Sequence, residues 1–324
     1  MSTTDTEHPA PARRRWRAVD GIVLLDKPQG LTSTQALQRV RRHLQAEKAG
    51  HAGTLDPMAT GMLPLCFGQA TKACGTLLGR RKAYRATVRL GVATDTGDAE
   101  GQPVAEVEVP DFDADRLELA LAAVRGERLQ VPPMYSALKR DGRPLYELAR
   151  QGIEVERAAR PITIESLVVT GQGERTLDIE VVCSKGTYVR VLAEEIARGL
   201  GTRAHLVALR RLWVEPFAAA AMVTLAAIEA TPAAETAHAP WLAAVDTAFP
   251  GCRSWRSTPD KRSICARDAR CRARPACQTP LSTALTTLLD ASSGWSNRGR
   301  RGGCRCSDSS CRVPARTAAV QKLE

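Results

Sequence analysis

The sequence predicts an α+β fold in which helices flank a mixed, mainly antiparallel central sheet. Residues 84–90 alternate between apolar and polar side chains, which is typical of a strand with one buried face. Residues 162–170 and 177–183 form another pair of strand-like runs, joined by the glycine-rich residues 171–173. Because isolated helical patterns separate the strands, the order of elements favours α+β.

The body of the chain begins with a strand and a helix. Residues 21–25 are a short apolar run that predicts a buried strand. Thr32 or Ser33 can cap a helix that ends near Leu44, because apolar residues recur there at helical spacing. Residues 50–68 are rich in glycine and proline, and we expect them to be mostly loop.

The later elements alternate between strands and helices. Asp113 or Asp115 is a suitable cap for a helix that closes at Gly126. Further segments show similar patterns: strands over residues 105–109 and 205–214, helices over 144–151 and 188–198, and partial helix within the alanine-rich residues 218–244.

The net charge of +11 is concentrated near the C-terminus. Residues 251–324 contribute +10 of it and seven of the ten cysteines, whereas residues 1–250 are almost neutral. The overall charge therefore does not indicate that the body binds nucleic acid, because nearly all of it lies in that last segment. Since no run of 18 apolar residues and no signal-like N-terminus occurs, we expect a soluble cytoplasmic protein that does not bind membranes.

These patterns predict three regions. Residues 1–17 are small, polar and basic, which indicates a disordered extension, and residues 18–250 form the folded body. Residues 251–324 hold only eight Leu, Ile, Val and Phe residues, too few for an ordinary core. A disordered basic arm, a zinc module and a shifted reading frame are the alternatives there. The absence of a C-x-x-C pair argues against a zinc module. The Cys, Arg, Ser and Trp content favours the shifted frame.

The strongest chemical signal is a carboxylate in a constrained loop. Asp56 is followed by Pro57 and flanked by Gly53, Gly61 and several apolar residues. Proline restricts the backbone of Asp56, and apolar neighbours would keep water from its carboxylate. A desolvated carboxylate gains a positive partner or a raised pKa. Taken alone, an Asp-Pro pair more often only starts a turn.

The residues around Asp56 resemble a known family. Gly53–Gly61 reads GTLDPMATG and matches Gly-x-Leu-Asp-x-x-Ala-Thr-Gly, the signature loop of TruB-type tRNA pseudouridine synthases. Further matching blocks occur in the family's order: LDKPQG at 25–30, KAYR at 82–85, TDTGD at 94–98, PMYSALK at 133–139, RQGIEV at 150–155, CSKGTYVR at 183–190, and AH with LRR between 204 and 211. The resemblance covers roughly residues 20–215.

The resemblance implies a pseudouridine synthase fold and a reaction. The family isomerises the T-loop uridine of tRNA, conventionally position 55, by exchanging a C–N for a C–C bond, so no metal or organic cofactor is implied. The implied partner is the tRNA T-arm, and we expect a monomer with no obligate protein partner. Members often end in a PUA-type RNA-binding domain, which residues 251–324 do not resemble.

Three residues match the family's catalytic group. Asp56 matches the catalytic aspartate, which attacks either C1′ of the ribose or C6 of the base. Tyr84 matches the aromatic residue that stacks on the flipped uracil, and its phenol is a candidate for helping to remove the C5 proton. Arg190 matches the arginine that pairs with the aspartate and keeps it ionised.

Four residues match the family's substrate site. Tyr188 and Leu209 correspond to residues that line the uridine pocket, and His51 to a histidine that contacts the T-loop. Lys27 lies in a strand-end element beside this site, where we expect a supporting role rather than chemistry.

Basic residues near these blocks are candidates for phosphate contacts. They are Arg39, Arg41, Arg42, Lys48, Arg80, Arg81, Lys82, Lys139, Arg140 and Arg143. An RNA-binding protein without chemistry would need the same groove, but not Asp56 together with Arg190, so catalysis is favoured. No nucleophile-elbow, zinc-protease, dinucleotide-binding or P-loop motif occurs to suggest another enzyme class.

Overall fold

The computed structural model describes residues 16–232 and 234–250. The predictions for residues 1–15 and 251–324 lie outside this part. Trp16 and Arg17, which we assigned to the N-terminal extension, belong to the folded body. The guanidinium of Arg41 lies 4.7 Å from the Trp16 ring centroid, and the Arg17 amide donates to the Gln45 carbonyl at 2.6 Å.

The predicted α+β fold is confirmed. The strands are β1 (Gly21–Lys27), β2 (Ala49–His51), β3 (Thr60–Phe67), β4 (Lys82–Leu90), β5 (Val92–Thr94), β6 (Pro103–Glu106), β7 (Gly126–Gln130), β8 (Lys139–Arg140), β9 (Arg143–Pro144), β10 (Arg160–Gln172), β11 (Thr176–Cys183), β12 (Ala204–Val214), β13 (Val223–Thr224) and β14 (Leu242–Ala243). The helices are α1 (Ser33–Leu44), α2 (Cys74–Leu78), α3 (Ala114–Ala122), α4 (Leu145–Arg150), α5 (Val189–Leu200) and α6 (Leu225–Ala230).

One mixed sheet organises the described residues. Its order is β13-β1-β3-β12-β4-β11-β10-β7, with β14 beside β1 and β2 beside β3. The β1–β13 and β3–β12 pairs are parallel, and the other pairs are antiparallel. The short β5–β6 and β8–β9 pairs stand apart from it. The central strands β3, β12 and β4 therefore bring the loop before β3 next to the middle of the sheet.

Two apolar clusters cover the sheet unequally. The larger joins one sheet face to buried residues of α1, α3, α5 and α6. The smaller lies on the other face of β1 and β3, where Ile22 and Leu24 pack with Met62 and Cys66. Strands β1 and β3 are thus buried on both sides, whereas β4 exposes Arg85 beside Glu180 of β11. Among the helices of the described residues, none combines the length and apolar character that crossing a bilayer requires.

Local sequence signals explain the helix that supports the site. The Thr32 hydroxyl accepts from the amide of Gln35 at 3.1 Å, and the Gln35 side chain accepts from the Thr32 amide at 2.9 Å. This capping box fixes the start of α1, as predicted. Helix α5 ends at Gly201, whose φ of +89° is the left-handed conformation that glycine adopts readily.

The prediction that residues 50–68 are mostly loop is wrong. Strand β3 occupies Thr60–Phe67, and β2 covers Ala49–His51. A strand buried on both faces shows no alternation, and Gly61 and Pro64 concealed it further. Pro64 has no N–H to donate, but its carbonyl still accepts from the amide of Ala52 at 2.9 Å.

Other boundaries also differ from the prediction. The strand expected over residues 105–109 ends at Glu106 and pairs only with β5, and Val107 beyond it is 39% exposed. The alanine-rich residues 218–244 are helical in part, as predicted, and they form α6 together with the short strands β13 and β14. Strand β7 was not predicted, because its sequence GERLQ has weak alternation and Leu129 is exposed at the sheet edge.

Gly61 is required by a close approach of two strands. Its φ is +96°, and a Cβ there would overlap the backbone carbonyl of Arg211 on β12. We predict that Gly61→Ala lowers the free energy of unfolding by more than about 3 kcal/mol, since a clash with backbone adds to the strain of a positive φ. Urea unfolding measures the difference.

Gly126→Ala is the matched control for Gly61→Ala. Gly126 has a similar φ of +84°, but a Cβ there meets nothing within 4 Å. It should cost about 1–2 kcal/mol, the conformational part alone. Equal losses in the two variants would contradict the steric explanation.

Candidate active site

The loop between β2 and β3 is held in place by the helix that precedes it in the chain. Ser33, the first residue of α1, is buried and exchanges two hydrogen bonds with the backbone of Leu55. Its hydroxyl donates to the Leu55 carbonyl at 3.0 Å and accepts from the Leu55 amide at 2.8 Å. Asp56 is the next residue, so α1 sets the position of its backbone.

Lys27 supports the same loop from beneath. Its side chain is fully buried, and Nζ donates to the carbonyls of Pro28 at 2.9 Å, Leu31 at 2.6 Å and Pro57 at 3.3 Å. Burial lowers the pKa of Lys27 to about 8, while Asp56 opposes that change. Because its three protons point to backbone carbonyls, Lys27 has none to offer a ligand. These hydrogen bonds join the end of β1 to the backbone beside Asp56.

Arg190 joins three separate segments at the carboxylate. It lies in the first turn of α5 and is 5% exposed. Its Nε is 3.1 Å from Oδ2 of Asp56, and its Nη1 is 3.6 Å from Oδ2 of Asp98. Nη1 also donates to the carbonyl of Thr96, and Nη2 donates to the carbonyl of Tyr135, each at 2.6 Å. The guanidinium is therefore fixed in orientation as well as in charge.

Burial and charge act in opposite directions on Asp56. Burial raises the pKa of Asp56, Arg190 lowers it, and the nearby Asp98 raises it again, so that the pKa lies above its ordinary value. The side chain still keeps 34% of its surface open. Arg190 is thus the main group that favours the ionised carboxylate in a place that otherwise favours the neutral acid.

A cavity of about 300 Å³ opens at this carboxylate. That volume is at the lower end of the ~300–1,000 Å³ typical of small-molecule clefts. Five of the seven predicted site residues line the cavity: Asp56, Tyr84, Tyr188, Arg190 and Leu209. The aromatic and aliphatic members give the cavity apolar walls, and the charged residues Lys82 and Arg211 line it besides the ion pair.

His51 is not among the residues that line this cavity. It lies on β2, the short strand that pairs with β3. Its Nδ1 is buried without a hydrogen-bond partner among the described residues. Burial, with a smaller effect of Arg211, lowers the pKa of His51. The neutral imidazole is therefore favoured at neutral pH.

The backbone of Tyr188 is clamped from the sheet edge. Gln130, at the end of β7, is 3% exposed. Its Oε1 accepts from the Tyr188 amide at 2.8 Å, and its Nε2 donates to the Tyr188 carbonyl at 3.3 Å. Tyr188 is the residue before α5, and no side chain caps the start of that helix. The side-chain amide of Gln130 therefore fixes the segment that leads to Arg190.

Sequence reasoning missed several residues of the site. Asp98 lies in the block TDTGD, but no pattern indicated that its carboxylate would be 3% exposed and would share Arg190 with Asp56. Gln130 lies outside every motif block. Arg211 lies in one of the blocks, but no pattern indicated that this arginine would be buried and would line the cavity.

Some predicted phosphate contacts already have other partners. Arg39 pairs with Glu229 at 2.8 Å, and Arg81 pairs with Glu165 at 2.8 Å. Lys82 is 7% exposed and lines the cavity instead of the outer surface. A contact between these three side chains and phosphates would require rearrangement.

Comparison with known families gives matches across the site. Residues 41–189 match the TruB family pseudouridylate synthase N-terminal domain, and residues 190–249 match the tRNA pseudouridylate synthase B C-terminal domain. The boundary between the two matched segments falls at the start of α5. Asp56 therefore lies in the first matched segment and its partner Arg190 in the second.

Individual relatives agree with the family matches. The chain is 61% identical over 221 residues to tRNA pseudouridine synthase B of Aromatoleum aromaticum, covering 68% of this chain and 71% of that one. It is 56% identical to the protein of the same name from Chromohalobacter salexigens, covering 67% and 71%. A crystal structure of a Cbf5-Nop10-Gar1 complex matches with 30% identity and a TM-score of 0.50, covering 64% of this chain and about half, 52%, of that chain.

The ion pair predicts how Asp56 titrates. In Arg190→Gln the main opposing charge is lost, so the pKa of Asp56 should rise further above its ordinary value. Carboxyl ¹³C NMR measures this, with Asp56→Asn identifying the signal. Arg85→Gln removes an exposed partner of Glu180 and should leave the Asp56 signal unchanged. An Asp56 midpoint that does not move in Arg190→Gln would show that the guanidinium does not control its ionisation.

Proposed function

The chain belongs to the TruB family of tRNA pseudouridine synthases, and on that premise we propose that it isomerises the T-loop uridine of tRNA, at position 55, through Asp56. The observation that supports this most directly is the Asp56 carboxylate, 3.1 Å from Arg190 at the wall of a largely apolar cavity. A nucleoside can enter such a cavity only after its base leaves the stack, which is the base-flipping requirement.

Asp56 is the proposed catalytic residue. In the reaction the N1–C1′ bond breaks, a C5–C1′ bond forms, C5 loses a proton and N1 gains one. An ionised carboxylate can begin this by bonding to C1′ of the ribose or to C6 of the base, and both routes remain open. Arg190 serves either route, because it keeps Asp56 ionised and points one oxygen in a fixed direction.

The walls of the cavity are proposed to hold the flipped base. Tyr84 and Tyr188 present aromatic rings, and Leu209 adds an apolar contact. Burial raises the pKa of Tyr84 and of Tyr188, so both phenols are neutral at neutral pH. A neutral Tyr84 can stack on uracil and lies in the same cavity as Asp56, where the C5 proton must be removed.

His51 is proposed to act on the RNA from outside the cavity. It begins the connection from β2 to Asp56 and is half-buried, with a neutral imidazole favoured. A histidine beside the cavity can contact the T-loop and fill space that the extruded uridine leaves. Exposed basic residues of the earlier set, such as Lys48 and Lys139, are proposed to contact phosphates.

The proposed biological unit is simple. We infer one catalytic domain over residues 16–250, acting as a monomer in the cytoplasm on the tRNA T-arm, with no obligate protein partner. We further infer that the reading frame of residues 251–324 is shifted. Mass spectrometry of the protein made from its native gene tests this. Peptides that match residues 251–324 of this sequence would contradict a shifted frame.

An Asp56→Asn variant tests the proposed reaction. On a T-arm stem-loop RNA, the wild type should form pseudouridine at the T-loop position, and Asp56→Asn should lower the rate by roughly 10⁴-fold or more. Asp111→Asn, which changes an exposed aspartate far along the chain from the loop, should leave the rate unchanged. Site-resolved pseudouridine detection provides the readout.

The possible outcomes separate the two function classes. If the wild type binds the RNA but forms no pseudouridine, the alternative of an RNA-binding protein without chemistry is favoured. If Asp56→Asn forms product as fast as the wild type, Asp56 is not the catalytic residue.

A further inference from the structure

Arg211 is a buried cation that the proposed reaction has not yet used. It lies on β12 and is 1% exposed, yet none of the described residues forms an ion pair with it. Taking a charge out of water is costly unless other groups compensate it. Such a residue at a cavity wall calls for an explanation.

The guanidinium holds both ends of the loop that carries Asp56. Its Nε donates to the carbonyl of Met62 at 2.6 Å, and its Nη2 donates to the carbonyl of Gly53 at 3.1 Å. Gly53 lies three residues before Asp56, and Met62 lies six residues after it. One side chain therefore closes the loop against the sheet, next to the cavity that both Arg211 and Asp56 line.

The same side chain lies opposite Tyr84. Arg211 and Tyr84 are directly paired residues of the antiparallel strands β12 and β4, so their side chains project from the same face at close range. Both line the cavity. Burial raises the pKa of the Tyr84 phenol, and the Arg211 guanidinium beside it lowers that pKa.

Other charged groups also face Tyr84, and they do not replace Arg211. Cys183 on β11 and Asp56 on the loop both raise the pKa of the phenol. Lys82, on the same strand as Tyr84, donates to the carbonyls of Leu78 at 3.1 Å and Arg80 at 2.7 Å. Burial, followed by repulsion from Arg211, lowers the pKa of Lys82 to about 8. Among these groups Arg211 is the cation that favours the ionised phenol.

We propose that Arg211 is a positioning residue of the isomerisation, which holds the Asp56 loop against Tyr84 and supplies the positive charge that the Tyr84 oxygen faces. This inference rests on the proposed function, because it assigns Tyr84 and Asp56 to the reacting site. The hydrogen bonds to Gly53 and Met62 set the geometry, and the charge sets how readily the phenol ionises. The two contributions can be separated by substitution.

Two variants of the full chain separate charge from shape. Arg211→Met removes the charge and both hydrogen bonds, whereas Arg211→Lys keeps a charge without the forked geometry. The control is Arg210→Met, a neighbour on the same strand that pairs with Asp26 at 2.8 Å and does not line the cavity. Urea unfolding confirms that each variant is folded before it is tested.

The first readout is the ionisation of Tyr84. The chain has only four tyrosines, so ¹³Cζ-tyrosine NMR resolves them, and Tyr84→Phe identifies the signal. The midpoint for Tyr84 should move to higher pH in Arg211→Met, return partly in Arg211→Lys, and stay unchanged in Arg210→Met. This readout does not depend on catalysis, so it tests the inference even if the wild type proves inactive on T-arm RNA.

The second readout is the single-turnover rate at saturating T-arm RNA. Arg211→Met should lower this rate by about 10²–10³-fold while the Kd for RNA changes by less than about threefold, and Arg211→Lys should recover part of the rate. If Arg211→Met does not fold, Arg211→Lys alone should lower the rate and move the Tyr84 midpoint to higher pH. An unchanged Tyr84 midpoint in folded Arg211→Met, or a wild-type rate in either variant, would overturn the inference.

Discussion

The site depends on one guanidinium shared between two carboxylates. Arg190 is nearly buried and contacts Asp56 at 3.1 Å and Asp98 at 3.6 Å, while backbone carbonyls take its other protons. Without that charge, burial and the proximity of Asp98 would both favour protonation of Asp56. Arg190 therefore offsets part of the effect of burial on the pKa of Asp56 and favours its ionised form.

The fold serves this contact by fixing its two sides independently. Helix α1 holds the Asp56 loop through Ser33, and β12 holds it through Arg211. Gln130 on β7 holds the start of α5, which carries Arg190. A helix and a central strand thus fix the Asp56 side of the contact, and an edge strand fixes the Arg190 side. A small displacement of either side would separate the charges.

Much of this architecture could be predicted from local patterns. The alternation in β4 and the capping signals of α1 were sufficient for those elements, because one face of each is buried. Strand β3 could not be recognised, since it is buried on both faces and contains a proline and a glycine. Arg190, which pairs with Asp56, could be predicted from the family resemblance. Asp98, Gln130 and Arg211 did not, because their importance comes from long-range contacts that leave no local signal.

The pH dependence of the single-turnover rate on T-arm RNA tests the central claim most directly. If Arg190 keeps Asp56 ionised for the reaction, the acidic limb of the profile should move to higher pH in Arg190→Gln, towards the raised midpoint of Asp56 in that variant. A profile that keeps its acidic midpoint, with a rate lowered equally at every pH, would contradict the claim.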